Sequence, residues 1–185
     1  MSEQNQDINS SVSIFEKIQT NLNQAGYDTY LMPKNDENAV EQLLISISEK
    51  TEEKSDVEHV TQLMFVNDFL EASNIETGKS DYLIAQFFTT LPFKLKQEKI
   101  LELYQLLSVF NRIVPVGYFG ISDEEGAFHR YSVVTKGREI DPGIVTEIIS
   151  MISFFVNRIA GKLSALAAGE KNLAEVLAEL EQVLG

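Results

Sequence analysis

Cysteine and tryptophan are missing from this chain, histidine occurs only twice and proline four times. Without cysteine there is no disulfide framework, no thiolate nucleophile and no thiolate-bound zinc or iron–sulfur site. The same absence suits a reducing compartment. With His59 and His129 as the two imidazoles, a histidine base or ligand can come from just two places. Positive charge is scarce as well: 15 Lys and Arg stand against 28 Asp and Glu, a net charge of −13. A duplex-binding protein needs a basic footprint to exchange with phosphate counterions, so nucleic acid is not an expected partner. An anionic membrane surface is disfavoured on the same ground. Such an acid surplus also keeps a protein soluble whatever its task.

Long hydrophobic runs are absent too. The richest, residues 148–156, is bracketed by Glu147 and Arg158. It is about half the ~20 apolar residues that a spanning helix needs, which predicts a buried core helix. The opening MSEQNQDINSS has neither the basic nor the apolar region of a secretory leader. The expectation is a disordered polar tail over 1–11 and a cytoplasmic protein, in which the Asn9-Ser10-Ser11 sequon has no role.

What is present suffices for one domain. A chain of 185 residues with 44% apolar content can bury a core without staples. Ile14, Phe15, Ile18, Leu22 and Ala25 recur at helical spacing before Gly26, predicting a helix over 12–25. Residues 27–32 and 40–47 read as strands, and the charged stretch 49–58 as a loop. Residues 59–70 suit helix or strand, with strand favoured over 62–66. Residues 82–89 alternate with apolar side chains on both faces, as in a central strand. Helical spacing returns over 96–113 and stops at Pro115. Residues 116–121 and 128–135 pair as a hairpin across Asp123-Glu124-Glu125-Gly126. Asp141-Pro142 gives a helix its N-cap and N1 residue, and Gly169 ends it near Ala168. Leu173, Val176, Leu177, Leu180, Val183 and Leu184 form a last one-sided stripe over 169–185. The prediction is an α+β domain over 12–168 in the order α-β-β-β-α-β-β-α, an antiparallel sheet of about five strands with helices on one face, plus an extra C-terminal helix.

Each chemically suggestive cluster meets a plainer reading. The acids Glu49, Glu52, Glu53, Asp56 and Glu58 before His59 match neither an EF-hand nor a helical ligand pair, so a solvated loop is expected. His129, beside Arg130 and Tyr131, has no second titratable group evidently aimed at it and reads as a structural imidazole. Gly78-Lys79-Ser80 lacks the upstream glycine of a phosphate loop, since Ser73 stands there, and precedes a strand rather than a helix. Gly117 and Gly120 suggest a bulge or a close backbone approach. Asp123, Glu124 and Glu125 form a hairpin tip, where carboxylates keep ordinary titration. Lys94, Lys96 and Lys99 make a small basic island of solvated lysines at a helix start. No catalytic, cofactor or metal residue is assigned. One surplus remains. Residues 141–168 carry more apolar side chains than one sheet face can cover, among them Ile144, Ile148, Met151, Phe154, Phe155 and Ile159. The last helix, a second subunit or a partner must cover the rest.

A resemblance rests on Phe110-Asn111 near a helix end, Gly117-Tyr118-Phe119-Gly120-Ile121, Arg130-Tyr131 in the return strand and an Ile140-Asp141 helix start. This pattern resembles the YbjN-type domain of the type III secretion chaperone-like fold, which has cyanobacterial members of unknown function. The likeness spans about Val12 to Ala168. It implies a helix, three antiparallel strands, a helix, a hairpin and a helix. It also implies a non-enzymatic role, since secretion chaperones of this fold are acidic, usually dimeric and hold a partner segment, while YbjN-type members are discussed as regulators. It brings no active site. The functional expectation is a chaperone-like or regulatory protein–protein interaction module, with a homodimer or a protein partner and no cofactor. The alternative is a small-ligand binder or enzyme with a pocket between sheet and long helix near His129, Arg130 and Tyr131.

Overall fold

The computed structural model describes residues 12–48, 58–76, 78, 80–122 and 126–184, with side chains to residue 180. The tail 1–11, most of the charged loop, Lys79 and the tip Asp123-Glu124-Glu125 lie outside the described residues.

The chain is an α+β protein with six antiparallel strands. Helix α1 (Ile14–Gln24) opens on a capping box, in which Ser13 Oγ accepts from the Glu16 N–H while the Glu16 carboxylate accepts from the Ser13 N–H. The strands are β1 (Thr29–Met32), β2 (Gln42–Ser46), β3 (Val60–Phe65), β4 (Tyr82–Leu91), β5 (Tyr118–Ser122) and β6 (Gly126–Lys136). Among the described residues, four strands precede the hairpin. Their order across the sheet is β1-β2-β3-β4-β6-β5. The first three pairings follow sequence neighbours. The hairpin then folds back, so that β6 lies against β4 along its whole length, from Tyr82↔Lys136 to Leu91↔Ala127, and β5 becomes the far edge.

The ambiguous segment 59–70 is strand first and helix second. Residues Val60–Phe65 form β3, and Val66–Ala72 form a short helix, α2. Apolar residues on both sides of the change, Leu63, Met64 and Phe65 before it and Val66, Phe69 and Leu70 after it, left the sequence undecided. What fixes it is tertiary: Asn67 Oδ1 accepts from the Ile84 N–H just past the end of β3, and Asp68 pairs with Arg138 at 2.5 Å.

After β4 a single 3₁₀ turn (Gln97–Lys99) leads into α3 (Ile100–Ile113). Helix α4 (Pro142–Ala168) begins where Asp141 Oδ1 accepts from the Gly143 and Ile144 N–H groups, with Pro142 in the first turn, and ends at Gly169 with φ +75°. Helix α5 (Leu173–Leu184) completes the chain.

The period of two along each strand sends alternate residues to opposite faces. Leu43, Leu63, Phe87 and Tyr131 are aligned across four strands, and so are Ile45, Thr61, Thr89, His129 and Phe119 across five. These rows form the covered face, on which Phe15, Ile18 and Leu22 of α1, Leu103, Leu106, Leu107 and Phe110 of α3, and the inner side of α4 complete one core. Helix α4 is long and apolar enough by composition to cross a bilayer. Here Val145, Ile149, Ile152, Val156 and Leu163 are fully buried against the rest of the chain. Two polar residues on it tie it to the sheet: Ser153 Oγ and Asn157 Nδ2 both donate to the Ile47 carbonyl, at 2.9 and 2.7 Å. Thr146 Oγ1 donates to Asn21 Oδ1 of α1 at 2.6 Å.

The surplus on α4 is divided. Val176 and Leu180 of α5 are buried in the core cluster with Leu166 and Ala167, so the last helix covers the C-terminal part. Ile144, Met151 and Phe154 stay exposed, and Arg158 lies over the Phe154 ring.

Candidate functional site

His129, Arg130 and Tyr131 do not converge. On a strand, successive residues face opposite ways, so His129 and Tyr131 point into the core and Arg130 points to the other side. His129 is fully buried, its ring 4.9 Å from that of Phe119. Its Nε2 lies 2.8 Å from the Val116 carbonyl, which can only accept, so Nε2 carries the proton. Its Nδ1 is buried without a partner. Burial pushes the His129 pKa below its ordinary value, and the Val116 bond works against that shift. A neutral, structural imidazole is the result. Gly117 has φ +74°, and a Cβ there would strike the Arg130 carbonyl and come within 2.7 Å of His129 Nε2. Gly120 is packed against the Phe128 ring in the same way. Both glycines are close approaches.

Two lysines of the basic island, Lys96 and Lys99, make contacts at helix ends, and Lys94 is exposed. Lys96 Nζ donates to the Ala168 carbonyl at 2.6 Å, which places a cation at the α4 C-terminus where the helix dipole favours it. Lys99 pairs with Glu102 at 2.8 Å. Gly78 and Ser80 precede β4, with no helix after them to hold a phosphate. Among the described residues no three His, Asp or Glu side chains come together as metal ligands.

A cavity does lie between the sheet and α4, at the sheet end where Leu91 pairs with Ala127, and none of His129, Arg130 and Tyr131 lines it. Its volume is about 170 Å³, and His59, Leu91, Phe93, Gly161 and Ser164 line it. The His59 N–H donates to Ser48 Oγ at 2.7 Å, its Nδ1 has no partner, and burial lowers its pKa.

The larger feature is the opposite sheet face. The row Tyr30, Leu44, Gln62, Phe88, Arg130 and Tyr118 crosses all six strands. Met32, Gln42, Met64, Gln86 and Ser132 form the next row. These residues are half-buried or exposed. The helix joined to β3, α2, has no buried residue with which to cover them. Tyr30 and Val134 are each 65% exposed and Tyr82 is 58% exposed. At the centre the Arg130 guanidinium lies over the rings of Phe88 and Phe128, 5.3 and 5.4 Å from their centroids, and Phe88 stacks on Phe128 at 5.4 Å. Tyr118 meets Phe128 edge-on at 6.0 Å. Beside this cluster runs a shallow groove of about 340 Å³, lined by Leu44, Val60, Gln62, Phe88 and Thr90, with Glu58 at its margin. Gln42 and Gln62 bond to each other across it. Sequence alternation in β4 gives the signal for this face, because both sides of that strand are apolar; a central strand covered on one side only cannot be told from one covered on both.

In comparisons with known proteins, no family model matches the chain and no curated protein is similar to it.

Proposed function

We propose that this protein is a non-enzymatic interaction module, chaperone-like or regulatory in the manner of the YbjN-type domains it resembles, and that it binds a protein partner. The observation that supports this reading is the sheet face that the described helices leave half-buried or exposed, with aromatic and apolar side chains across six strands. Surfaces of that kind on soluble domains mark interaction sites. The His129 imidazole packs against Phe119 and bonds the Val116 carbonyl, a structural role, and the open face is suited to contact.

The test is a comparison of two surface variants in affinity capture from the native cell. Tyr30→Asp with Val134→Asp damages the sheet face, and Phe154→Asp damages the exposed stripe of α4. The sheet-face variant loses a partner that the wild type and the α4 variant both retain. Equal recovery by all three proteins overturns the placement, and selective loss by the α4 variant moves the surface to the helix.

A second reading draws on the cavity beside His59, which lies between sheet and long helix as a small-ligand site would. At about 170 Å³ it falls below the usual range of ligand pockets. Gly161→Leu would fill it. Loss of a bound metabolite from that variant, with the sheet-face variant unaffected, would favour this reading.

A further inference from the structure

We propose that the open sheet face recognises an acidic side chain, with Arg130 as its anchor, so that the partner presents a carboxylate among apolar residues. This rests on the protein-binding reading above and gives it a chemistry.

The charge distribution is the first observation. The chain has nearly two acids for each base, yet the open-face positions of the six strands include no carboxylate. The two charged side chains there are Arg130 and Lys136. An acidic protein has thus cleared acid from one surface and kept cations on it, which prepares that surface for a negative partner.

The state of Arg130 is the second. A guanidinium has five N–H donors and no acceptor. Here Nε is buried without an acceptor, and among the described residues no hydrogen bond or ion pair joins Arg130 to a neighbour. The rings of Phe88 and Phe128, 5.3 and 5.4 Å away, attract the guanidinium through their faces. These contacts reduce the side-chain freedom left to lose on binding, and a planar guanidinium fork matches a carboxylate in two-pronged fashion. The groove along Leu44, Val60 and Gln62 starts beside the same ring and takes the neighbouring apolar side chains.

A second copy of the chain fits less well. Two such faces brought together would set Arg130 against strand positions that carry no acid. Single-stranded nucleic acid also stacks on aromatic sheets, but it needs a basic groove that tracks its backbone, and the open-face strand positions carry just two cations, Arg130 and Lys136.

The experiment is selection of a displayed random 12-residue peptide library on the full-length protein, with Arg130→Gln and Arg130→Glu as comparators. On the wild type the recovered peptides carry Asp or Glu next to aromatic or aliphatic residues. Exchange of that acid for its amide weakens binding roughly tenfold or more. Arg130→Gln loses the acid preference and Arg130→Glu turns it to Lys or Arg. The wild-type selection stands even if either variant fails to fold. Peptides that bind the face, as judged by loss with Tyr30→Asp and Val134→Asp, but show no acid preference overturn the Arg130 proposal and leave the protein-binding reading intact. Recovery of no face-dependent peptide overturns both. So does tight binding of fluorescent oligothymidylate to the face, and concentration-dependent dimerisation that the face substitutions abolish replaces the acidic partner with a second copy.

Discussion

The side-chain amide of Asn111, on α3, closes both backbone groups of Phe119 on the edge strand β5: Nδ2 donates to the Phe119 carbonyl at 3.0 Å and Oδ1 accepts from the Phe119 N–H at 2.7 Å. Phe119 is the residue opposite His129 in the pairing with β6, and its own donor and acceptor turn outward. The amide therefore imitates a seventh strand for one residue. Edge strands with free donors and acceptors are templates for unwanted pairing, and this contact closes one such position.

Asn111→Leu removes both bonds and leaves two backbone groups of a buried residue without partners. The expected loss is about 1–3 kcal/mol, read from the midpoint of urea unfolding. Self-association in light scattering should rise with it. A variant as stable and as monodisperse as the wild type would show that water replaces the amide fully.

For His129 the sign follows from its depressed pKa. Below the ordinary value of about 6.5 the unfolded chain takes up a proton that the folded chain refuses, so the unfolded state binds more protons and stability falls as pH falls. The contribution is whole above about pH 6.5 and shrinks towards the lower folded value. His129→Gln has no such titration. The stability gap between wild type and this variant should therefore narrow between pH 7.5 and pH 5, measured by urea unfolding at each pH. A constant gap would mean that His129 is not held neutral by burial.

Two glycines should respond in opposite directions to alanine. Gly117→Ala meets a left-handed backbone and the Arg130 carbonyl, and should cost about 1–2 kcal/mol from backbone strain alone. Gly161 lies within α4 with open space around a Cβ, so Gly161→Ala should gain roughly 0.5–1 kcal/mol through helix propensity. Thermal unfolding of the two variants separates them, and shifts of the same sign would contradict the geometry.

Ser153 and Asn157 share one acceptor, the Ile47 carbonyl. Ser153→Ala or Asn157→Leu alone leaves that carbonyl one donor and should cost under about 1 kcal/mol. Together they leave it unsatisfied, at about 1–3 kcal/mol. A double-mutant cycle measures the coupling, and strict additivity would show that the two bonds act independently.

Much of the secondary structure was legible because its signals are local. Asp141, Pro142 and Gly169 mark the ends of α4 through capping and backbone preference, which depend on few neighbours. The change from strand to helix at Val66 was not legible, since Asn67 and Asp68 act through Ile84 and Arg138, far along the chain. The candidate site was hidden for another reason. Phe88, Phe128, Arg130 and Tyr118 come from three strands, and only their register brings them side by side. In sequence Arg130 sits between His129 and Tyr131, with which it shares no face.

The sequence by itself determined an acidic, cysteine-free α+β chain, the positions of its main helices and strands, and a surplus of apolar residues on α4, since composition and periodicity act at short range. Only the tertiary structure decided how that surplus is covered: partly by α5, with Ile144, Met151 and Phe154 left outward. It also decided that, among the described residues, the sheet face around Arg130 is left half-buried or exposed. Pairing register and the side on which helices settle are properties of the whole packed chain, because each depends on contacts between residues tens of positions apart.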